Sequence, residues 1–367
     1  MTDGSMQKVI DTIEDPYANI DIMRFLRDMY PGYFTLTMAT GIISVGTSLL
    51  EMRSISMMMY VLALLSWAGL FGAYTWRLLR FPRVVFDDLM NPRKTFSFFA
   101  FVAATNVVGL LFFNHGHEYL AALCWAVAFL AWAALLYCTF SVLTFLHGER
   151  NINIVDGGWL IAIVGTQSLV LLGLKLVDLT GAYAAFAMLG IYMLWWLGLF
   201  LYGVFVTLFC YRLFFLEMSL DDYSPLMWVI MGAAAISANA SSTLDMSDPV
   251  IFVLSEIHPV VDGVALLTWT LATWWIPLLV VIGIWKHLVR RVPLRYDPRQ
   301  WSIVFPLGMY TVATIQLSLA AEFEPMHEIS HVVVWIAILV WCFLIAGLAT
   351  RFINWIALVR AQGAWRF

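Results

Sequence analysis

Ten stretches of this chain are long and apolar enough to cross a bilayer as helices of about 20 residues. They lie at 31–50, 57–79, 96–113, 119–146, 157–176, 182–211, 225–244, 263–285, 301–320 and 332–350, and their only charged residues are Arg77 and Lys175, each close to an end. In lipid, every backbone N–H and C=O must be paired, which leaves the helix as the solution for segments of this length. The sequence therefore predicts an all-α integral membrane protein of ten transmembrane helices. Composition agrees: 62% of residues are hydrophobic and 12% charged, with mean hydropathy +0.85, against roughly one quarter charged in a soluble domain.

Basic residues set the orientation. With a cytoplasmic N-terminus, 18 of the 20 Lys and Arg fall on the inner side, leaving only Arg53 and Lys175 outside. The positive-inside rule selects for such a bias. It predicts a multi-pass protein of the cell membrane with both termini cytoplasmic. The organisation read from this is a cytoplasmic segment 1–29, a transmembrane channel domain 30–355 and a cytoplasmic tail 356–367. Residues Ile20 to Met29 have the pattern of a short amphipathic helix on the inner surface. The four cysteines all lie inside apolar spans and read as small buried hydrophobes.

The odd-numbered spans begin near 31, 96, 157, 225 and 301, which suggests five repeated helical hairpins. Odd spans hold 22 Ser, Thr, Asn and Gln; even spans hold 10. Tryptophan divides the other way, with 12 in even spans and 3 in odd ones. Bulky aromatics suit lipid contact, and hydroxyls and glycines suit a protein-lined interior. The economical arrangement is an inner ring of odd helices around a central pore, enclosed by an outer ring of even helices. Candidate lining residues are Thr37, Thr40, Gly41 and Ser44 in the first span, Thr105 and Asn106 in the third, and Thr166 and Gln167 in the fifth. Ser237, Asn239 and Ser241 in the seventh and Thr311 and Thr314 in the ninth complete the set. A conduit of this kind is neutral, and binding along it shallow, which favours conduction over capture.

The ninth span, WSIVFPLGMYTVATIQLS, interrupts its helix with Pro306, directly after Phe305. Together with the Gly- and Thr-rich PGYFTLTMATGIISVG of the first span and the five-hairpin pattern, this resembles the tellurite-resistance and C4-dicarboxylate transporter family. That family includes the plant slow-type anion channels. The resemblance implies a central pore built from odd helices, commonly one per subunit of a homotrimer, and a phenylalanine of the ninth helix that plugs it. The matching residues here are Phe305 and Pro306.

A literal H-E-x-x-H, His327-Glu328-Ile329-Ser330-His331, raises zinc hydrolysis as a further reading. No Asp, Glu or His follows His331 to supply the usual third ligand. His327 and His331 are retained as metal candidates only, and no enzyme activity is expected. With His258 and Glu256 of the preceding outer loop, they are also candidates for pH sensing. The reading carried forward is a passive anion channel with an aromatic plug. A proton-coupled carrier for malate-like dicarboxylates, sulfite or tellurite is the alternative, and a membrane metallohydrolase the third. Expected partners are small inorganic or carboxylate anions, the lipid bilayer and two further copies of the chain, with no cofactor and no nucleic acid.

Overall fold

The computed structural model describes residues 22–146 and 152–361, and the regular structure among them is helical throughout. The start of the expected N-terminal segment (1–21) and the end of the tail (362–367) lie outside the described residues. Within the expected surface helix, Ile22–Arg27 is helical. The long helices are α1 (Thr35–Leu49), α2 (Arg53–Arg80), α3 (Phe99–Asn114), α4 (Glu118–Ser141) and α5 (Ile161–Leu176). They continue as α6 (Ala184–Phe215), α7 (Val229–Asp245), α8 (His258–Ile284), α9 (Trp301–Ala320) and α10 (Met326–Ala361).

Eight helical stretches among the described residues are long and apolar enough to cross a membrane. The difference from the ten expected has two causes. One stretch, Gly157–Phe215, is 59 residues long and joins α5 to α6 across Gly181, whose φ of 53° and ψ of −117° are not helical. Only glycine occupies such a region readily. The other cause is α1, which at 15 residues rich in Thr, Ser and Gly is too short and polar to qualify.

The contacts give two layers. α1, α3, α5, α7 and α9 each pack on the next in that order, and α9 returns to α1, closing a five-membered ring. Each also packs on the helix that follows it, α1 on α2 through to α9 on α10. Within the apolar windows of α3, α7 and α9 with their leading turns, 72–89% of the residues are buried, against 17–28% for α2, α4, α8 and α10. The core therefore belongs to the ring, and the other helices present their remaining faces to the surroundings.

Small residues let the ring close. An added Cβ on Gly232 of α7 would stand 2.8 Å from Cγ of Pro306 in α9, and one on Gly308 of α9 would stand 2.7 Å from Ile42 of α1. Backbones separated only by glycine approach closely, the usual route to tight helix contact in lipid.

Candidate functional site: the ring axis and its two mouths

Five tryptophans tie the outer helices to the ring. Trp67 of α2 donates from Nε1 to Thr105 Oγ1 of α3 at 3.1 Å, and Trp132 of α4 donates to Thr166 of α5 at 2.9 Å. Trp195 of α6 reaches Ser241 of α7 at 3.0 Å, and Trp269 of α8 reaches Thr314 of α9 at 2.9 Å. Trp341 of α10 closes the circuit on Thr40 of α1 at 2.9 Å. Each hydroxyl in turn donates to the carbonyl four residues back: Leu36, Phe101, Ala162, Ser237 and Tyr310. Every bond runs from one pair of helices to the next, so the set forms a girdle between the layers. An indole N–H and a hydroxyl proton both need acceptors in an apolar medium, and this relay supplies them.

The girdle revises the expected lining. Thr40, Thr105, Thr166, Ser241 and Thr314 turn their hydroxyls towards the outer helices, away from the axis. Thr37 pairs with Ser66 and Ser44 with Ser56, both of α2, while Gln167 donates to the Trp195 carbonyl of α6. Gly41, Asn106, Asn239 and Thr311 lie in seams between ring neighbours. They meet Val107, Ser168, Met309 and Gly46 respectively. Ser237 donates to Ala233 of its own helix. For the hydroxyls the physical reason is shared: each finds a fixed indole or carbonyl partner at a packed seam.

Helical geometry shows what faces the axis instead. In α9, Pro306 points at α7 through Gly232, Gly308 at α1 through Ile42, and Tyr310 and Thr314 at α8. At about 100° per residue, Phe305 falls between the α7 and α1 directions and opposite α8, which is the direction of the axis. The same construction from Thr40, Thr105, Thr166 and Ser241 turns Ile42, Ala103, Val164 and Ile236 inward. These four are at most 1% exposed and Phe305 is 2% exposed, so the ring is filled across its middle by apolar side chains. Pro306 has no N–H for the Ser302 carbonyl. The Ser302 hydroxyl, also buried, has no hydrogen-bond partner among the described residues.

One mouth is built from helix N-termini. Short 3-10 turns lead into all five ring helices: Pro31–Phe34, Thr95–Phe98, Gly157–Leu160, Pro225–Trp228 and Pro298–Gln300. They touch each other in the order of the ring and close it. Five sets of first-turn amides and five positive dipole ends converge there, an environment that favours negative charge. Three arginines at this end are engaged in ion pairs. Arg77, 1% exposed, meets Asp88 at 2.5 Å, Arg212 meets Asp222 at 2.6 Å, and Arg299 meets Asp297 at 2.6 Å. Burial works against ionisation of Asp297, but the hydrogen bonds and charge of Arg299 outweigh it and hold the carboxyl below the usual range. Asp156 caps the Gly157–Leu160 turn through the Gly158 amide at 2.9 Å. Burial pushes its carboxyl up to about 6, against the opposing pull of that amide and of Arg212, Arg93 and Arg299.

At the other mouth, His258 Nδ1 lies 3.6 Å from Asp245 Oδ1, and the Asp262 carboxyl is close to that of Asp245. Glu256 is exposed and is not part of this group. His327 and His331 stand on α10 with ring centres 6.3 Å apart, and His327 Nδ1 is 3.4 Å from the Ser318 hydroxyl. Among the described residues no three His, Cys, Asp or Glu side chains come together as metal ligands. Asp156, Asp245 and the five girdle tryptophans were not among the site residues expected from sequence. For the last, one tryptophan near the middle of each even span was the available signal.

Similarity to known proteins follows the ring. Two Methanocaldococcus jannaschii proteins, both named as uncharacterized transporters, are 21% and 22% identical over 326 and 330 residues. Each alignment covers 86% of this chain, and 91% and 93% of the respective relatives. An uncharacterized membrane protein of Mycobacterium tuberculosis is 41% identical over 145 residues, 39% of this chain and 72% of the relative. A family model described as voltage-dependent anion channel matches residues 28–349, the ring and nearly all of its enclosing helices, and the chain belongs to that family, SLAC1.

Proposed function

We propose that the chain is a passive channel for small anions, conducting along the axis of the five-helix ring and closed by Phe305. The observation that carries this reading is Phe305 itself, 2% exposed and directed at the axis beside Pro306. An apolar constriction can gate by excluding water, and shallow sites let an ion leave as easily as it enters. The converging helix N-termini at one mouth supply the attraction for anions without a buried cation to trap them. Ten crossings follow if the 59-residue stretch is divided at Gly181 and α1 is counted with its leading turn. The basic bias of the loops then sets the N-terminal mouth in the cytoplasm. Recording in planar bilayers tests the reading. Phe305→Ala is expected to raise anion conductance by about tenfold or more, as removal of an apolar gate should. Unchanged conductance would leave Phe305 as packing.

A proton-coupled carrier is the second reading, favoured by Asp245, Asp262 and His258 together at the opposite mouth. A close carboxyl pair can hold and release a proton. Saturable, proton-driven malate uptake without current would decide for the carrier.

A further inference from the structure

A cavity of about 220 Å³ opens at the end of the bundle away from the 3-10 turns, in the cleft between α1, α2 and α3. Ser44 and Ser48 of α1, Arg53 and Ser56 of α2, Asn114 of α3 and His115 after it line the cavity. It lies beside the axis, because Ser44 turns away from the ring to donate to the Ser56 carbonyl at 2.8 Å. Its lining holds a guanidinium, hydroxyls, an amide and an imidazole, and no carboxylate. That is unusual for this mouth, where Glu51, Glu118, Asp178, Asp248 and Glu256 make the surroundings acidic.

Each donor has a structural reason to be there. Glu51 turns the chain between α1 and α2 with a φ of 59°, which starts α2 at Arg53 on the cavity wall. The cavity thus also meets a helix N-terminus. His115 is fixed by stacking on Tyr60, with ring centres 4.0 Å apart and planes 13° from parallel. Its Nδ1 is 2.8 Å from the Leu111 carbonyl. With Nδ1–H donating there, the imidazole is fixed in the cavity wall.

We propose that this cavity is a binding site for a small oxyanion, separate from the conduction axis. Arg53 supplies the charge and the forked donors that match an oxyanion. Ser48 and Asn114 complete the coordination. An occupied site would bridge α1, α2 and α3, three of the helices that frame the ring.

The test is binding of radiolabelled sulfate to the purified full-length protein in detergent, at fixed ionic strength. Saturable binding is expected. Arg53→Gln should weaken it by at least about tenfold, the loss of one charge-assisted contact, and Arg53→Lys should recover part of it. Phe305→Ala should leave sulfate binding unaltered, which separates this site from the pore reading. Elution of each variant at the parent's position in size exclusion guards against misfolding. Sulfate binding that Arg53→Gln does not change, or the lack of saturable binding in the parent, overturns the proposal.

Discussion

Trp341 in the last helix donates its indole N–H to Thr40 in the first, 2.9 Å apart across 301 residues of sequence. That bond completes the girdle, since the other four join helices that are neighbours in the chain. Trp341→Phe keeps most of the buried ring but removes the donor. The cost should be about 1 kcal/mol for the hydrogen bond, plus a part for the lost volume. A lower melting temperature of the detergent-solubilised protein is the measurement. The same change at Trp76 or Trp335, which are 54% and 52% exposed, should be nearly silent. Equal effects at all three positions would reduce the girdle to ordinary packing.

Much of the fold was legible because lipid leaves few options. Segment length, the odd–even division of polar residues and the glycines of the ring all report directly on two layers of helices. The direction of the hydroxyls was not legible. Composition says that α1 carries Thr37, Thr40 and Ser44, but not whether a threonine faces an open axis or an indole on the next layer. That depends on a partner at least 34 residues away in each girdle pair. The tryptophans were read as lipid anchors for the same reason. Phe305 was distinguishable only through the adjacent proline and the family pattern. Asp156 is a lone acid in the sequence, and three arginines and a helix start come around it only in the fold.

The buried pair at the N-terminal mouth predicts a strong asymmetry between its partners. Asp88 accepts from Arg77, at 1% side-chain exposure, and from Lys94, at 47%. Asp88→Ala strands the desolvated Arg77 charge and should cost about 3–5 kcal/mol. Lys94→Ala should cost under about 1 kcal/mol, the usual worth of an exposed partner. Yield of monodisperse protein and its melting temperature read the difference. Comparable losses from Lys94→Ala and Asp88→Ala would contradict the assignment.

Asp156 predicts a pH dependence at that same mouth. Its carboxyl, raised to about 6 by burial, is neutral in mild acid and negative at pH 7. An anion entering past it meets repulsion only in the second case. Anion flux in proteoliposomes should therefore fall as the pH on that side rises from 5 to 7. Asp156→Asn, which keeps an oxygen to cap Gly158, should hold flux high and flat. The stability sign follows from linkage. The folded carboxyl titrates above its ordinary 3.8, so the folded state keeps a proton that the unfolded chain has released. Stability is greatest below about 4 and declines as pH rises to about 6. Asp156→Asn should thus be more stable than the parent at pH 7 and match it near pH 4. The opposite order would remove the raised carboxyl from the account.

The contact between Gly232 and Pro306 links packing to the gate proposed at Phe305. A Cβ at 232 would stand 2.8 Å from Pro306 Cγ and 3.1 Å from its Cβ, and a proline ring cannot rotate aside. Gly232→Ala must therefore push α9 away from α7, which should cost about 1–3 kcal/mol as overpacking, less a small gain in helix propensity. Pro306 directly follows Phe305 in the displaced helix, so resting anion conductance should change as well. Pro306→Ala removes the opposing ring atoms and gives residue 306 an N–H for the Ser302 carbonyl, so it should relieve the strain. In a double-mutant cycle the pair should then be less destabilised than the sum of the singles, with a coupling of about 1 kcal/mol or more for side chains in direct contact. Melting temperatures of the four proteins, read beside their bilayer currents, give both halves of the test. Additive stabilities with unchanged currents would show that the α7–α9 seam tolerates the methyl group and does not set the position of Phe305.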